Sequence, residues 1–224
     1  MLNFNFRKPV SFYQCSYEEK KFVSFLNTLG AKSWDKTMKA ITEFSRGDAS
    51  GRTKLKGRIK KHLEKEQGGY CYYCGCELKR FGKSGVHIDH ILPKSAEHGR
   101  YQCFTFEPKN LVLACFRCNS FDYKYEKDYA IGYNKIYDLN CFKIVHPHLE
   151  DINDYITVDF TGVVESKSLS SKGRFMIDEF DLNCEELLSI RSGSLAVLAM
   201  NIRPSLRKEI DEILLREFPT GFVG

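Results

Sequence analysis

Two Cys-x-x-Cys pairs, Cys71/Cys74 and Cys115/Cys118, are separated by the 40 residues 75–114. Four thiolates can close a tetrahedron around one ion and leave no open position for catalysis, so the pairs point to a structural zinc. A redox role would not need two of them. The spacing exceeds that of a simple ribbon, so a functional element is inserted between the pairs. It holds Val86-His87-Ile88-Asp89-His90-Ile91 and Asn110-Leu111-Val112-Leu113, and Asn119 directly follows the last cysteine. A carboxylate such as Asp89 can hold a hard divalent ion, and a neutral imidazole such as His90 can take a proton from water. Strand neighbours point to opposite faces, so both serve one site only where the strand ends or twists. Pro93, three residues on, fits such an end. Cys76 lies near enough to compete as a ligand but reads as a bystander. Cys15, Cys103, Cys141 and Cys184 are isolated and read as ordinary buried residues.

The elements that must position these groups follow from periodicity and caps. Ser16 with Glu19 forms a capping box before Phe22, Phe25, Leu26 and Leu29 at helical spacing, and Gly30 ends that run. A second short helix is predicted from about Ser33 to Phe44, with Trp34, Met38 and Ile41 on one side. Gly47 and Gly51 frame an expected break before a basic helix. There Leu55, Ile59 and Leu63 make one stripe while Arg52, Lys54, Lys56, Arg58, Lys60 and Lys61 cover much of the remaining surface. Such a run is usually a solvated face; leading straight into the cysteine module, it is expected to contact a phosphate backbone. Cys71-Tyr-Tyr-Cys74-Gly75 has the form of a zinc knuckle. Glu77–Phe81 and Val86–Ile91 are predicted as strands of a hairpin through Gly82-Lys83-Ser84-Gly85, Leu111–Leu113 as a third strand, and Cys115 to about Tyr125 as a helix. Further on, Tyr155–Phe160 and Val163-Val164 form a predicted hairpin. Asn183 with Glu186 reads as a helix start, and Leu206, Ile210, Ile213 and Leu214 as a last amphipathic helix after Pro204. His146 and His148 flank Pro147 in what reads as a structural turn.

Composition sets the frame. The 224 residues carry a formal charge of +5, distributed as +8 over residues 1–70, +2 over 71–130 and −5 over 131–224. The basic front suits phosphates and the acidic back does not. No apolar segment approaches bilayer length, and the N-terminal residues lack the apolar run of a secretory signal, so a cytoplasmic protein in a reducing compartment, with no membrane partner, is expected.

Asp89-His90-Ile-x-Pro93, Asn110-Leu-Val and Cys115-x-x-Cys118-Asn119, in this order, resemble the HNH endonucleases of the ββα-metal superfamily. The resemblance covers Cys71–Tyr125. It implies a zinc-stabilised ββα-metal core, set at 67–130; with the helical N-terminal region read at 1–66 and the hairpin and helical region read at 131–224, where a partner would dock, the expected fold is α+β. By the same resemblance Asp89 is the first ligand of a catalytic magnesium or manganese ion, Asn119 the second, and His90 the general base. Asn110 fixes the loop and helps orient that histidine. The substrate implied is DNA, with RNA left open. Family members commonly carry His at the Asn119 position and a Lys or Arg shortly after it; here Ser120-Phe121-Asp122-Tyr123 precede Lys124. His87 shares a strand face with Asp89 and is expected to touch substrate or metal, or else to bond to the loop. His98 is a candidate substrate contact in the loop over the phosphate path. The tail, at His146-Pro147, the acidic stretch to Asp154-Tyr155, Gly162 and Asp181-Leu182-Asn183, is similar to HNH nucleases of Septu-type and retron-associated antiviral systems, which implies an ATPase partner. The competing reading is a non-catalytic, zinc-stabilised nucleic-acid-binding or interaction subunit.

Overall fold

The computed structural model describes residues 10–35, 45–94, 99–139 and 141–200. The first helix, α1 (Tyr17–Thr28), starts at the expected box: Ser16 Oγ accepts from the Glu19 amide and Glu19 accepts from the Ser16 amide. The second, α2 (Arg46–Glu66), begins earlier than the two glycines suggest. Ser45 caps it and Asp48 closes a second box, so the helix runs through Gly47 and Gly51. A side chain at Gly51 would press on the Phe22 ring at 3.3 Å, so its small size lets α1 and α2 close on each other. Leu55, Ile59 and Leu63 are buried along one stripe of α2. Most of the helix expected over 33–44 lies outside the described residues, as does the one near Leu206; Ser33 ends a short 3-10 turn, Gly30–Ser33.

Strand β1 (Val86–His90) pairs antiparallel with β2 (Leu111–Cys115), Asp89 opposite Val112 and His90 opposite Leu111. This replaces the hairpin expected within 77–91. Leu78–Phe81 and Lys83–Gly85 are 3-10 turns, and β1 takes the wholly buried β2 as its partner instead. One edge of β2 is completed by a side chain. Gln67 donates to the Leu113 carbonyl at 2.9 Å and accepts from its amide at 2.7 Å, as a neighbouring strand would.

The helix expected from Cys115 is also absent: residues 116–126 form successive turns. The Asn119 amide reaches Cys115 O, but the Lys124 amide reaches back to Cys118 O and the Cys118 amide to Cys115 Sγ. Sulfur acceptors and the wrap of the knuckle displace the regular helical ladder. Beyond it come two short pairs, β3 (Ala130–Ile131) with β4 (Cys141–Phe142) and the expected hairpin β5 (Ile156–Val158) with β6 (Val164–Ser166). Two helices follow, α3 (Ser171–Glu179) and α4 (Glu185–Met200). Asn183 does not cap α4; its amide pairs with both backbone groups of Val164, tying the helix entry to β6. Met176, Phe180, Leu182 and Leu187 are buried in the same apolar cluster as Leu26, Leu55 and β2. The C-terminal region thus shares the core of the cysteine module. Cys103 and Cys141 are exposed, and Cys15 and Cys184 half-buried, contrary to the expectation that they lie inside; none of the four joins the sulfur cluster.

Candidate functional site

The sulfurs of Cys71, Cys74, Cys115 and Cys118 lie within 4.8 Å of one another and are all buried. Cys74 Sγ and Cys115 Sγ are 3.8 Å apart. A tetrahedral zinc with bonds of about 2.3 Å spaces its sulfurs by roughly that distance. The Cys115 amide points at Cys71 Sγ at 3.3 Å, a backbone donor that stabilises a thiolate. The surroundings fit the same ion. Four thiolates on zinc carry a net negative charge, and Arg191 is buried with Nε and Nη1 lacking a hydrogen-bond partner among the described residues. Its charge acts on Cys76, Cys74 and Cys184, while that of Arg117 acts on Cys118, Cys184 and Cys74. The donor set and its buried counter-charges fit a structural zinc.

Between the knuckle and α2 lies a cleft of about 500 Å³ lined by Lys56 and Lys60 of α2, by β1, and by Trp34, Lys94, Asn119 and Tyr125; Asp35 and Glu126 add carboxylates. Asp89 is buried on its wall. Tyr73, within the first Cys-x-x-Cys, donates its hydroxyl to Asp89 Oδ2 at 2.6 Å. The Tyr73 ring stacks on Phe180 at 4.5 Å, so the end of α3 holds the ring that holds the carboxylate. Burial raises the Asp89 pKa, against the lowering effects of the Lys124 charge and the Tyr73 bond. A buried carboxylate in that state is stabilised by a cation. Asn119 lines the same cleft. His87 Nε2 donates to the Ser84 carbonyl at 3.1 Å, so its Nδ1 accepts, and it accepts from the Asn119 Nδ2 at 3.0 Å. This fixes the amide orientation and leaves Oδ1 as the oxygen that can serve as a ligand. Asp89 and Asn119 therefore offer hard oxygen donors on one cleft, a set that fits magnesium or manganese completed by water and phosphate oxygens.

His90 Nε2 lies 3.0 Å from the Thr105 carbonyl, which only accepts, so Nε2 bears the proton and Nδ1 is the basic atom. Trp34 packs edge-on against the ring at 4.4 Å. Burial depresses the His90 pKa to about 3 from its ordinary 6.5. The imidazole is therefore neutral at neutral pH. Between those values the unfolded chain holds more protons at this position than the folded one. Stability from this group is therefore fully present above 6.5 and is lost as pH falls towards 3. We expect His90→Ala to flatten the rise of unfolding free energy across pH 5–6 by up to about 1.4 kcal/mol per pH unit, measured by urea melts without added divalent ion. An unchanged slope would show that the ring is not held neutral by burial.

Asn110 is wholly buried. Its Oδ1 accepts from the Leu92 amide at 2.7 Å and its Nδ2 donates to the carbonyls of Leu92 and Phe104, each at 3.1 Å. It clamps the loop that carries Thr105 to the end of β1. Tyr137 also reaches Asn110 Oδ1, and His146 Nε2 lies 2.9 Å from the Tyr137 hydroxyl, so His146 buttresses the clamp. His148 bridges the carbonyls of Val10 and Leu111. His98 lies outside the described residues.

Two basic residues differ from expectation. Arg52 is buried and donates to the carbonyls of Ser33 and Asp35, because the turn after α1 folds over it. Lys124 is 0% exposed; its Nζ donates to the Lys127 carbonyl and lies over the Tyr129 ring, out of reach of a phosphate. Lys54 and Lys61 are exposed outside the cleft wall, and Arg58 is paired with Glu19 at 2.6 Å. Tyr73, Thr105, Trp34 and Lys94 border the site without being among the site residues expected from the sequence. Only Tyr73 left a signal: a tyrosine inside a knuckle buries its ring and must find an acceptor for its hydroxyl. Tyr73→Phe removes that bond alone and is expected to cost about 1.5–3 kcal/mol. Denaturant melts check this; a loss below 0.5 kcal/mol would mean Asp89 is held by other contacts.

The structure thus brings together a buried four-cysteine cluster, two antiparallel strands and a cleft with an Asp-His pair at the strand end. Residues 71–122 match the family model described as HNH endonuclease, about a quarter of the chain. That segment is an HNH domain, and the α+β architecture with its four-cysteine cluster agrees with the ββα-metal fold, although turns stand where its helix would be. No curated protein matches the chain. Among the described residues no helix is long and apolar enough to cross a membrane.

Proposed function

We propose that the chain is a metal-dependent endonuclease that hydrolyses phosphodiester bonds in DNA at the Asp89–His90–Asn119 cleft. The observation that carries this reading is His90 itself. A buried neutral imidazole, with its proton committed to Thr105, borders the same cleft as two hard oxygen donors. His90 Nδ1 takes a proton from the water that attacks phosphorus. A divalent ion bound there would supply positive charge to the scissile phosphate and to the departing oxygen. Asp89, steadied by Tyr73, and Asn119, steadied by His87, hold the oxygens that orient that charge. Lys60 and Lys94 line the same cleft, paired at 4.0 Å with Glu64 and at 3.4 Å with Asp35, and flanking phosphates would compete with those carboxylates for them. The non-catalytic alternative relies on a broad basic face of α2, and the loss of Arg52 to the interior and of Arg58 to Glu19 argues against it. The test is nicking of supercoiled plasmid by the zinc-loaded chain with magnesium or manganese. Binding to plasmid without cleavage in either ion would favour the alternative.

The tail resemblance supports a wider setting, the nuclease effector of a cytoplasmic antiviral system acting beside an ATPase. Exposed Ile131, Tyr133, Ile136 and Phe160 offer apolar surface on that acidic half. Affinity purification from the native cells is expected to recover an ATPase, and recovery of the chain alone would remove this setting.

A further inference from the structure

The cleft that holds Asn119 is also lined by one tyrosine, Tyr125, with Phe121 packed behind it outside the lining. Tyr125 lines the cleft and is 52% exposed, and Phe121, also exposed, lies against it with ring centroids 5.5 Å apart. The backbone presents Tyr125 deliberately. Its φ is +34, a left-handed conformation that non-glycine residues rarely adopt. It is held by the Lys124 amide bonding to Cys118 O, the Lys127 amide bonding to Lys124 O, and the buried Lys124 Nζ bonding to Lys127 O. Turning Lys124 inward turns Tyr125 outward. Strain that the surroundings enforce at a cleft wall points to use there. Lys56, Lys60 and Lys94 also line the cleft, and Lys60 and Lys94 are half-exposed.

We infer that the Tyr125–Phe121 pair is a stacking platform for an unpaired base next to the scissile phosphate, so that the preferred substrate is single-stranded or locally opened nucleic acid. The inference rests on the nuclease reading and adds the substrate class. A ring face accepts any base without reading sequence, while lysines along the same cleft hold the backbone. A paired base inside a duplex offers no free face to Tyr125.

The test uses full-length, zinc-loaded His90→Ala protein with magnesium, which removes cleavage, and three fluorescein-labelled probes: a twelve-residue oligothymidine, an abasic oligomer of the same length, and a twelve-base-pair duplex. Tyr125→Ala is expected to weaken oligothymidine binding about tenfold, a typical effect of losing one stacked base. Tyr125→Phe keeps the ring face and should stay within about twofold. The abasic oligomer and the duplex should each lose less than about twofold from Tyr125→Ala, since neither offers a free base. Unchanged oligothymidine binding overturns the platform and leaves the rings for a protein partner. An equal loss on the abasic oligomer or the duplex overturns it too, because the ring would then touch the backbone. Failure of the oligothymidine to bind the His90→Ala protein overturns the stacking inference. Wild-type nicking of plasmid, measured alongside, tells whether the nuclease reading falls with it.

Discussion

Stripping the ion from Cys71, Cys74, Cys115 and Cys118 is expected to unfold the module from the first knuckle through β2. Four buried sulfurs within 4.8 Å repel as thiolates once the cation is gone. Structural zinc of this kind contributes about 10–16 kcal/mol of apparent binding free energy, against a total stability of about 5–15 kcal/mol for an ordinary domain. The consequences extend past the knuckle. Tyr72 and Gln67 bond to β2, Arg117 bonds to Phe180 O, and Tyr73 stacks on Phe180, so the C-terminal helices lose their seat as well. Chelation followed by far-UV circular dichroism should show a cooperative loss, with about one zinc per chain released. Cys118→Ser is expected to impair cleavage beyond its effect on stability, since Asn119 is the next residue and its amide hydrogen bonds to Cys115 O. Retention of native structure by the stripped protein would contradict the clamp.

The second large effect is on chemistry. His90→Ala is expected to lower cleavage about a hundred- to ten-thousandfold, the usual worth of a positioned general base. Zinc content should be unchanged. The substitution leaves the Thr105 carbonyl without its donor and Trp34 without its edge contact, at a cost of about 1–3 kcal/mol. Single-turnover rates at saturating enzyme check this; a drop smaller than threefold would remove His90 from the proton transfer.

The parts of this site that could be read in the sequence are those set by local spacing. The cysteine pairs gather because each Cys-x-x-Cys turn brings its two sulfurs together, and the Ser16–Glu19 box and the Leu55–Ile59–Leu63 stripe need only helical periodicity. What could not be read depends on distant partners. Nothing local tells that Val86–His90 pairs with Leu111–Cys115 rather than with the nearer Glu77–Phe81. The helix after Cys115 gives way because Cys118 bonds to a sulfur and Lys124 folds inward, both products of the knuckle's wrap. Arg52 reads as a surface cation until the turn after α1 closes over it. The partners of the proposed ligand and base, Tyr73 on Asp89 and Thr105 on His90, are likewise joined by the fold rather than by a motif.

The most direct test of the central claim is plasmid nicking followed as manganese is titrated into the zinc-loaded wild type, Asp89→Ala and Asn119→Ala. The wild type should show saturable, manganese-dependent nicking, and each variant a loss of at least about a hundredfold at low manganese that high concentrations restore only in part. Equal titration curves for all three proteins, or nicking that needs no added ion, would contradict that claim.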